Sequence, residues 1–213
     1  MNKATRISAC MLGIYAGLLG IEHGFFEILQ GDIPTNGFLI NALGPTCQPE
    51  VYWHACFPAL TLLPNFQVTS LLAIIVSLSV LIWAAGFTHR KHGGVILILL
   101  SAFMLPFGGG FVPAFIGIIA GITGTRIHAP LNGWQRLPSN LIETLSKFWP
   151  WILVLMLVWF PASWILGYFF NQTMLKLGVL PFFFFDLGLP ILITCSAMPF
   201  DLLSKSPNDT NFC

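Results

Sequence analysis

Long apolar runs constrain the fold of this chain more than any other feature of its sequence. They cover residues 7–29, 66–87, 94–125, 150–170 and 179–198. A bilayer core is about 30 Å thick and is crossed by about 20 apolar residues in an α-helix. Only 8% of the 213 residues are charged, whereas a soluble domain has about 25%. The sequence therefore predicts an all-α integral membrane protein.

The run at residues 94–125 is too long for one membrane helix, because it would extend about 46 Å. It is interrupted near its centre by residues that favour a turn, namely Pro106, Gly108, Gly109, Gly110 and Pro113. We therefore predict two short helices, at residues 94–107 and 111–125, that form a hairpin. Each would span about 22 Å, so the pair either thins the bilayer locally or re-enters it to line a cavity. The chain then has six membrane segments.

The distribution of basic residues supports six segments and indicates their orientation. With six, every lysine and arginine except Lys176 lies on one side of the membrane, and the loop at residues 31–65 contains none. Cytoplasmic loops carry an excess of these residues. Both termini are therefore expected in the cytoplasm, most naturally at a plasma (inner) membrane.

The same pattern predicts four regions along the chain. They are a four-segment membrane unit at residues 1–127 with the outer loop 31–65, a cytoplasmic interfacial connector at 128–148, a two-segment membrane hairpin at 149–199, and a disordered cytoplasmic tail at 200–213. The first apolar run continues without a small-residue cleavage site, so we interpret it as a retained helix and not as a secretory signal.

The outer loop contains two cysteines and a histidine. Cys47 and Cys56 would face an oxidising compartment, where a disulfide can form. Two reduced thiols or a redox-active pair are the alternatives, although a redox pair usually has the CxxC spacing. A disulfide at Cys56 would hold His54 over the helix ends.

The first run carries Glu22, His23 and Glu27 at a depth where ionisable groups are costly unless they are partnered or hydrated. Asp186 lies about 10 Å below the outer end of the last run and so reaches a similar depth. The sequence therefore predicts a site in the outer leaflet. Its candidate residues are Glu22, His23, Glu27, His54 and Asp186.

Helical geometry limits which of these side chains can meet. At about 100° per residue, His23 and Glu27 lie about 40° apart on one face of the helix, whereas Glu22 points elsewhere. We therefore expect His23 and Glu27 to pair and Glu22 to have a different neighbour. A lone aspartate in the membrane needs a partner, and the sequence suggests His23 as the partner of Asp186.

Two stripes of small residues predict close helix contacts. One consists of Gly13, Gly17, Gly20 and Gly24, and the other of Gly117, Gly121 and Gly124. Such stripes allow helix backbones to approach each other, either within a chain or between copies of it. Helix pairing in an oligomer is therefore one prediction from this pattern.

The leading functional hypothesis is a small transporter or channel-like protein. Carboxylates with almost no neighbouring lysine or arginine would take up protons or be neutralised by a bound cation. Histidine and carboxylates also suit a divalent metal, so a metal- or haem-dependent membrane enzyme or electron-transfer subunit is one alternative. A structural or assembly protein is another. The expected partners are the lipid bilayer and an ion or small solute, and a net charge of +1 argues against nucleic acid.

Overall fold

The computed structural model of this chain describes residues 1–41, 58–177 and 180–204, without the side chain of Phe182. Within these residues the fold is predominantly helical. The helices are α1 (Lys3–Ile28), α2 (Phe66–Gly86), α3 (Gly93–Met104), α4 (Phe111–Gly124), α5 (Ser139–Phe169), α6 (Asn171–Leu177) and α7 (Leu189–Ser204). A short 3-10 helix covers Trp134–Arg136, and a π-helix at Phe182–Gly188 leads directly into α7. Strands β1 (Leu39–Asn41) and β2 (Pro58–Leu60) form one antiparallel pair.

Four helices in the described residues are long and apolar enough to cross a membrane. They are Lys3–Ile28, Phe66–Gly86, Ser139–Phe169 and the continuous helix Phe183–Ser204. The helices α3 and α4 are apolar but have only 12 and 14 residues, fewer than the roughly 20 that a full crossing takes. The exposed side chains of α2 include Leu71, Ile75 and Leu78, as expected for a surface in contact with lipid. The prediction of a helical membrane protein is therefore confirmed.

Helix α1 lies at the centre of the bundle and packs against α2, α4 and α7. Its glycine stripe makes the contact with α2 possible, since a Cβ atom at Gly17 or Gly24 would lie 2.9 Å from a backbone oxygen of α2. Helices α3 and α4 meet in the same way, because a Cβ at Gly121 would lie 2.7 Å from the carbonyl oxygen of Gly94. The glycine faces that the sequence offered for oligomerisation are thus both used inside the chain.

Helix α5 begins earlier than the sequence predicted. It starts at Ser139 and continues through Pro150, so residues 139–148 belong to the same helix as the apolar segment that follows. The predicted connector at 128–148 therefore overlaps the first turns of α5.

The last helix ends later than the sequence predicted, at Ser204. Residues 200–204 are helical and do not belong to a tail, while residues 205–213 lie outside the described part. Asp201, in this last turn, is 3% exposed and accepts hydrogen bonds from the N–H groups of Ala4 and Thr5, at 2.9 and 2.8 Å, and from the Thr5 hydroxyl at 2.7 Å. An anion is stabilised at a helix N-terminus by the unpaired N–H groups there. Asp201 therefore caps α1 and connects it to α7.

The turn between α3 and α4, residues 105–110, is attached to the chain that follows β2. Gly108 donates its N–H to the carbonyl of Leu60 at 2.8 Å, and Leu62 donates to the carbonyl of Pro106 at 2.9 Å. Gly108 and Gly110 have φ angles of +83° and +81°, which favour glycine. These bonds hold the turn against the C-terminal half of α1, where the candidate residues lie.

Candidate functional site

The candidate residues in the described part of the chain, with the residues that contact them, form two groups at different faces of α1. We call the first the Glu27 cluster, formed by His23, Glu27, Thr69, Gly108 and Gly110. We call the second the Asp186 cluster, formed by Tyr15, Glu22, Trp159 and Asp186.

Three predicted residues cannot be placed in either cluster. His54 lies outside the described residues, as do Cys47 and Cys56. The contribution of His54 to the site and the disulfide therefore stay predictions. Two further cysteines, Cys10 and Cys195, are free thiols.

Glu27 lies in the last turn of α1 and is 0% exposed. Its carboxyl group faces the backbone of Gly108, because a Cβ atom there would lie 2.6 Å from Oε2 and 2.8 Å from Oε1. Only a residue without a side chain allows the turn to approach this closely. Neither carboxyl oxygen of Glu27 has a hydrogen-bond partner among the residues that the structure describes.

The segments packed against Glu27 carry no charge that could balance a carboxylate. Residues 58–88 and 93–125, which include β2, α2, α3, α4 and the turn, contain no lysine, arginine, histidine, aspartate or glutamate. In the described part of the chain, the only ion pair joins Lys147 to Glu143, both exposed. Burying an isolated ionised carboxyl group is very costly. Among the described residues nothing in these segments balances the charge of a Glu27 carboxylate, which leaves that role to a proton or a bound cation.

His23 lies one helical turn before Glu27 and is 8% exposed. A Cβ atom at Gly110 would lie 2.6 Å from its Nε2 atom, so the imidazole also packs against the glycine turn. The two side chains share one face of α1, as their spacing predicts. The expected pairing is wrong, because neither carboxyl oxygen of Glu27 accepts a hydrogen bond from His23 or any other described residue. The turn at residues 105–110 thus covers both of them.

Asp186 has partners that differ from the predicted one. Its Oδ1 atom accepts hydrogen bonds from the Tyr15 hydroxyl and from the Trp159 indole N–H, each at 3.2 Å. The prediction that His23 is its partner is therefore wrong. Glu22 interacts electrostatically with Asp186. Glu22 and His23 therefore have different neighbours, as the position of Glu22 on the helix predicts.

The backbone around Asp186 has an unusual conformation. Residues Phe182–Gly188 form a π-helix, in which the N–H of Leu189 bonds to the carbonyl of Phe184, five residues back. The cause lies in the sequence, because Pro190 has no N–H to donate to the carbonyl of Asp186, four residues before it. Insertions of this kind in α-helices occur frequently at functional sites.

Sequence reasoning missed Tyr15, Trp159 and the covering role of Gly108. Tyr15 could have been found, because it precedes Glu22 by seven residues and so shares its helix face. Trp159 could not have been found from the sequence, since its contact with Asp186 depends on how α5 packs against the last helix.

The described residues include no group of three or more histidine, cysteine, aspartate or glutamate side chains that could hold a metal ion. A metal centre at the Glu27 cluster would need ligands from residues 42–57. Comparison with known proteins adds no further assignment: no family model matches the chain, and no curated protein or solved structure is significantly similar to it.

Proposed function

We propose that this protein is a small transporter or channel-like membrane protein that handles a proton or a cation at the Glu27 cluster. In this proposal the chain has six membrane segments, of which α3 and α4 form a short hairpin. Both termini lie in the cytoplasm, and the Glu27 end of α1 lies in the outer leaflet. The bias of lysine and arginine toward one side supports this orientation.

The observation that carries the proposal is the state of Glu27. Glu27 fills space against the turn, but its carboxyl group is 0% exposed, has no hydrogen-bond partner among the described residues and lies in a helix long and apolar enough to cross a membrane. An apolar side chain of similar size would avoid the cost of burying it. Ionisable groups in such positions mark ion or proton pathways in membrane proteins.

A structural role is the second candidate, and it is favoured for the Asp186 cluster alone. There the carboxyl group accepts two hydrogen bonds, from α1 and from α5, and so it links three membrane helices. Satisfied polar networks of this kind orient neighbouring helices. The Asp186 cluster is therefore proposed to position α1, while Glu27 handles the ion.

The proposal is tested by flux measurements in liposomes that contain the full-length protein. A potassium diffusion potential drives ion entry, and internal dyes report pH, sodium, potassium or calcium. We expect flux of one of these ions with the unaltered protein and its loss in Glu27→Gln. Glu143→Gln is the matched control, because Glu143 is an exposed carboxyl group outside both clusters.

Two results would overturn the proposal. One is equal flux through the unaltered protein and Glu27→Gln, and the other is the absence of any ion flux through correctly folded protein. The elution profile in detergent and the thermal unfolding temperature identify which preparations are folded.

A further inference from the structure

We infer that the ion bound at Glu27 is a proton and not a metal cation. The inference rests on the function proposed above and narrows it, because that function admits either kind of ion. It is drawn from the space around the carboxyl group, from the use of the nearby oxygen atoms and from the charges that face it.

The space next to the carboxyl group is taken by the turn. Both carboxyl oxygens lie 2.6–2.8 Å from the position that a Cβ atom of Gly108 would occupy, so the Cα of Gly108 contacts the same side of the group. Hard cations take about six or more oxygen ligands. A proton needs only one oxygen and no coordination shell, and so it fits where the turn is closed.

Oxygen atoms of the turn and of the chain next to it already accept hydrogen bonds or share one. The carbonyl groups of Leu60, Pro106 and Met104 accept N–H groups of the turn or of the chain next to it, at 2.8–2.9 Å. The methyl group of Thr69 lies beside Gly108, and the Thr69 hydroxyl is 2.8 Å from the Thr61 hydroxyl and shares a hydrogen bond with it. Each of these oxygen atoms therefore has only part of its lone-pair capacity left for a metal ion.

The charges around Glu27 also favour a proton over a divalent cation. On α1, the ionisable group that shares its face is His23, whereas Glu22 and Tyr15 lie on another face. The elements β2, α2, α3 and α4 bring no ionisable side chain. A divalent cation bound to a single carboxylate would leave a net positive charge in a region of low dielectric constant, which is costly. A proton taken from water leaves the buried group neutral, and its return to water restores the carboxylate.

Infrared difference spectroscopy on the full-length protein in lipid nanodiscs tests this inference. Spectra recorded between acidic and alkaline pH show the carbonyl stretch of each carboxylic acid that titrates. We expect a band that is lost in Glu27→Gln, shifted in Glu27→Asp and retained in Glu143→Gln. At constant pH, we expect sodium, potassium and calcium ions to leave this band unchanged.

The inference is overturned if a metal cation removes the Glu27 band at constant pH, or if the unaltered protein shows no such band at any pH. Its failure can be told apart from failure of the proposed function. If ion flux is observed and a metal cation removes the band, the proposed transport function stands but the bound ion is not a proton. If the Glu27 band is observed and no ion flux is, Glu27 binds a proton but the proposed transport function is wrong.

Discussion

The two ends of helix α1 each bury a carboxyl group, and the two groups have opposite surroundings. At the N-terminal end, Asp201 accepts three hydrogen bonds from Ala4 and Thr5. At the C-terminal end, Glu27 is buried still more completely, at 0% exposed against 3%, and accepts no hydrogen bond from the described residues. The two carboxyl groups therefore differ in their hydrogen-bond partners and not in whether they are buried.

Under the proposed function, this difference separates a structural carboxyl group from an ion-binding one. Asp201 meets the unpaired N–H groups and the positive end of the helix dipole, and so its charge is stabilised where it is. Glu27 lies in the last turn, where the dipole is negative and disfavours a carboxylate. A fold that needed only a filled volume at Glu27 would be served better by an apolar residue. Asp186, with two hydrogen bonds on one oxygen, is intermediate between the two.

The largest effect is expected from Asp201→Ala. The substitution leaves buried N–H groups of Ala4 and Thr5 without an acceptor, and we expect a loss of about 4 kcal/mol in unfolding free energy. Thermal unfolding in detergent measures it. The exposed Ser204→Ala, on the same helical turn, is the control and should change little. A loss no larger than that of Ser204→Ala would show that the cap contributes nothing.

Gly108→Ala tests the C-terminal end of α1, where the turn packs against Glu27. Its φ of +83° and the contact with Glu27 together predict a loss of about 3 kcal/mol. Gly31→Ala is a matched control, because Gly31 has a φ of +79° but no atom within 4 Å of a new Cβ. It should cost about 1 kcal/mol. Equal losses in the two variants would mean that the turn does not press on Glu27.

Tyr15→Phe tests the Asp186 cluster, whose carboxyl group is intermediate between Asp201 and Glu27. It removes one of the two donors to Asp186 while leaving the ring in place, and we expect a loss of about 1 kcal/mol. A double-mutant cycle with Asp186→Ala, which removes the acceptor, measures the coupling between the two side chains. Additive losses would show that the hydrogen bond does not stabilise the fold.

The smallest effect is expected from Glu27→Gln, although it should abolish ion flux. The substitution keeps the shape of the side chain and removes no hydrogen bond to a described residue, so stability should change by less than about 0.5 kcal/mol. Chemical or thermal unfolding of the two proteins under identical conditions measures the change. A loss comparable to that of Asp201→Ala would make Glu27 a structural group and remove the contrast between the two ends of α1.

Much of the fold could be predicted because apolar runs and glycine spacing are local features. The break at residues 105–110 and the close packing of α1 follow from the positions of glycine and proline. The start of α5 was missed because the apolar run begins only at residue 150, whereas the helix starts at Ser139 and continues through Pro150. Proline is tolerated inside a membrane helix when neighbouring groups satisfy the freed carbonyl.

The candidate site was predicted in part. The shared face of His23 and Glu27 and the separate direction of Glu22 follow from the angle per residue. The partners of Asp186 and the cap formed by Asp201 depend on which helices become neighbours after folding. A single sequence does not contain that information, because a carboxyl group at a given depth can face any adjacent helix.

The backbone bonds between the chain after β2 and the α3–α4 turn have a mechanical consequence. Leu60 and Leu62 are hydrogen-bonded to Gly108 and Pro106, and Gly108 rests on the carboxyl group of Glu27. A displacement of the α1–α2 connection therefore pulls on the residue that separates this acid from its surroundings. A force on the chain after β2 reaches Gly108 through main-chain hydrogen bonds, so its transmission depends on these bonds and on the glycine at position 108.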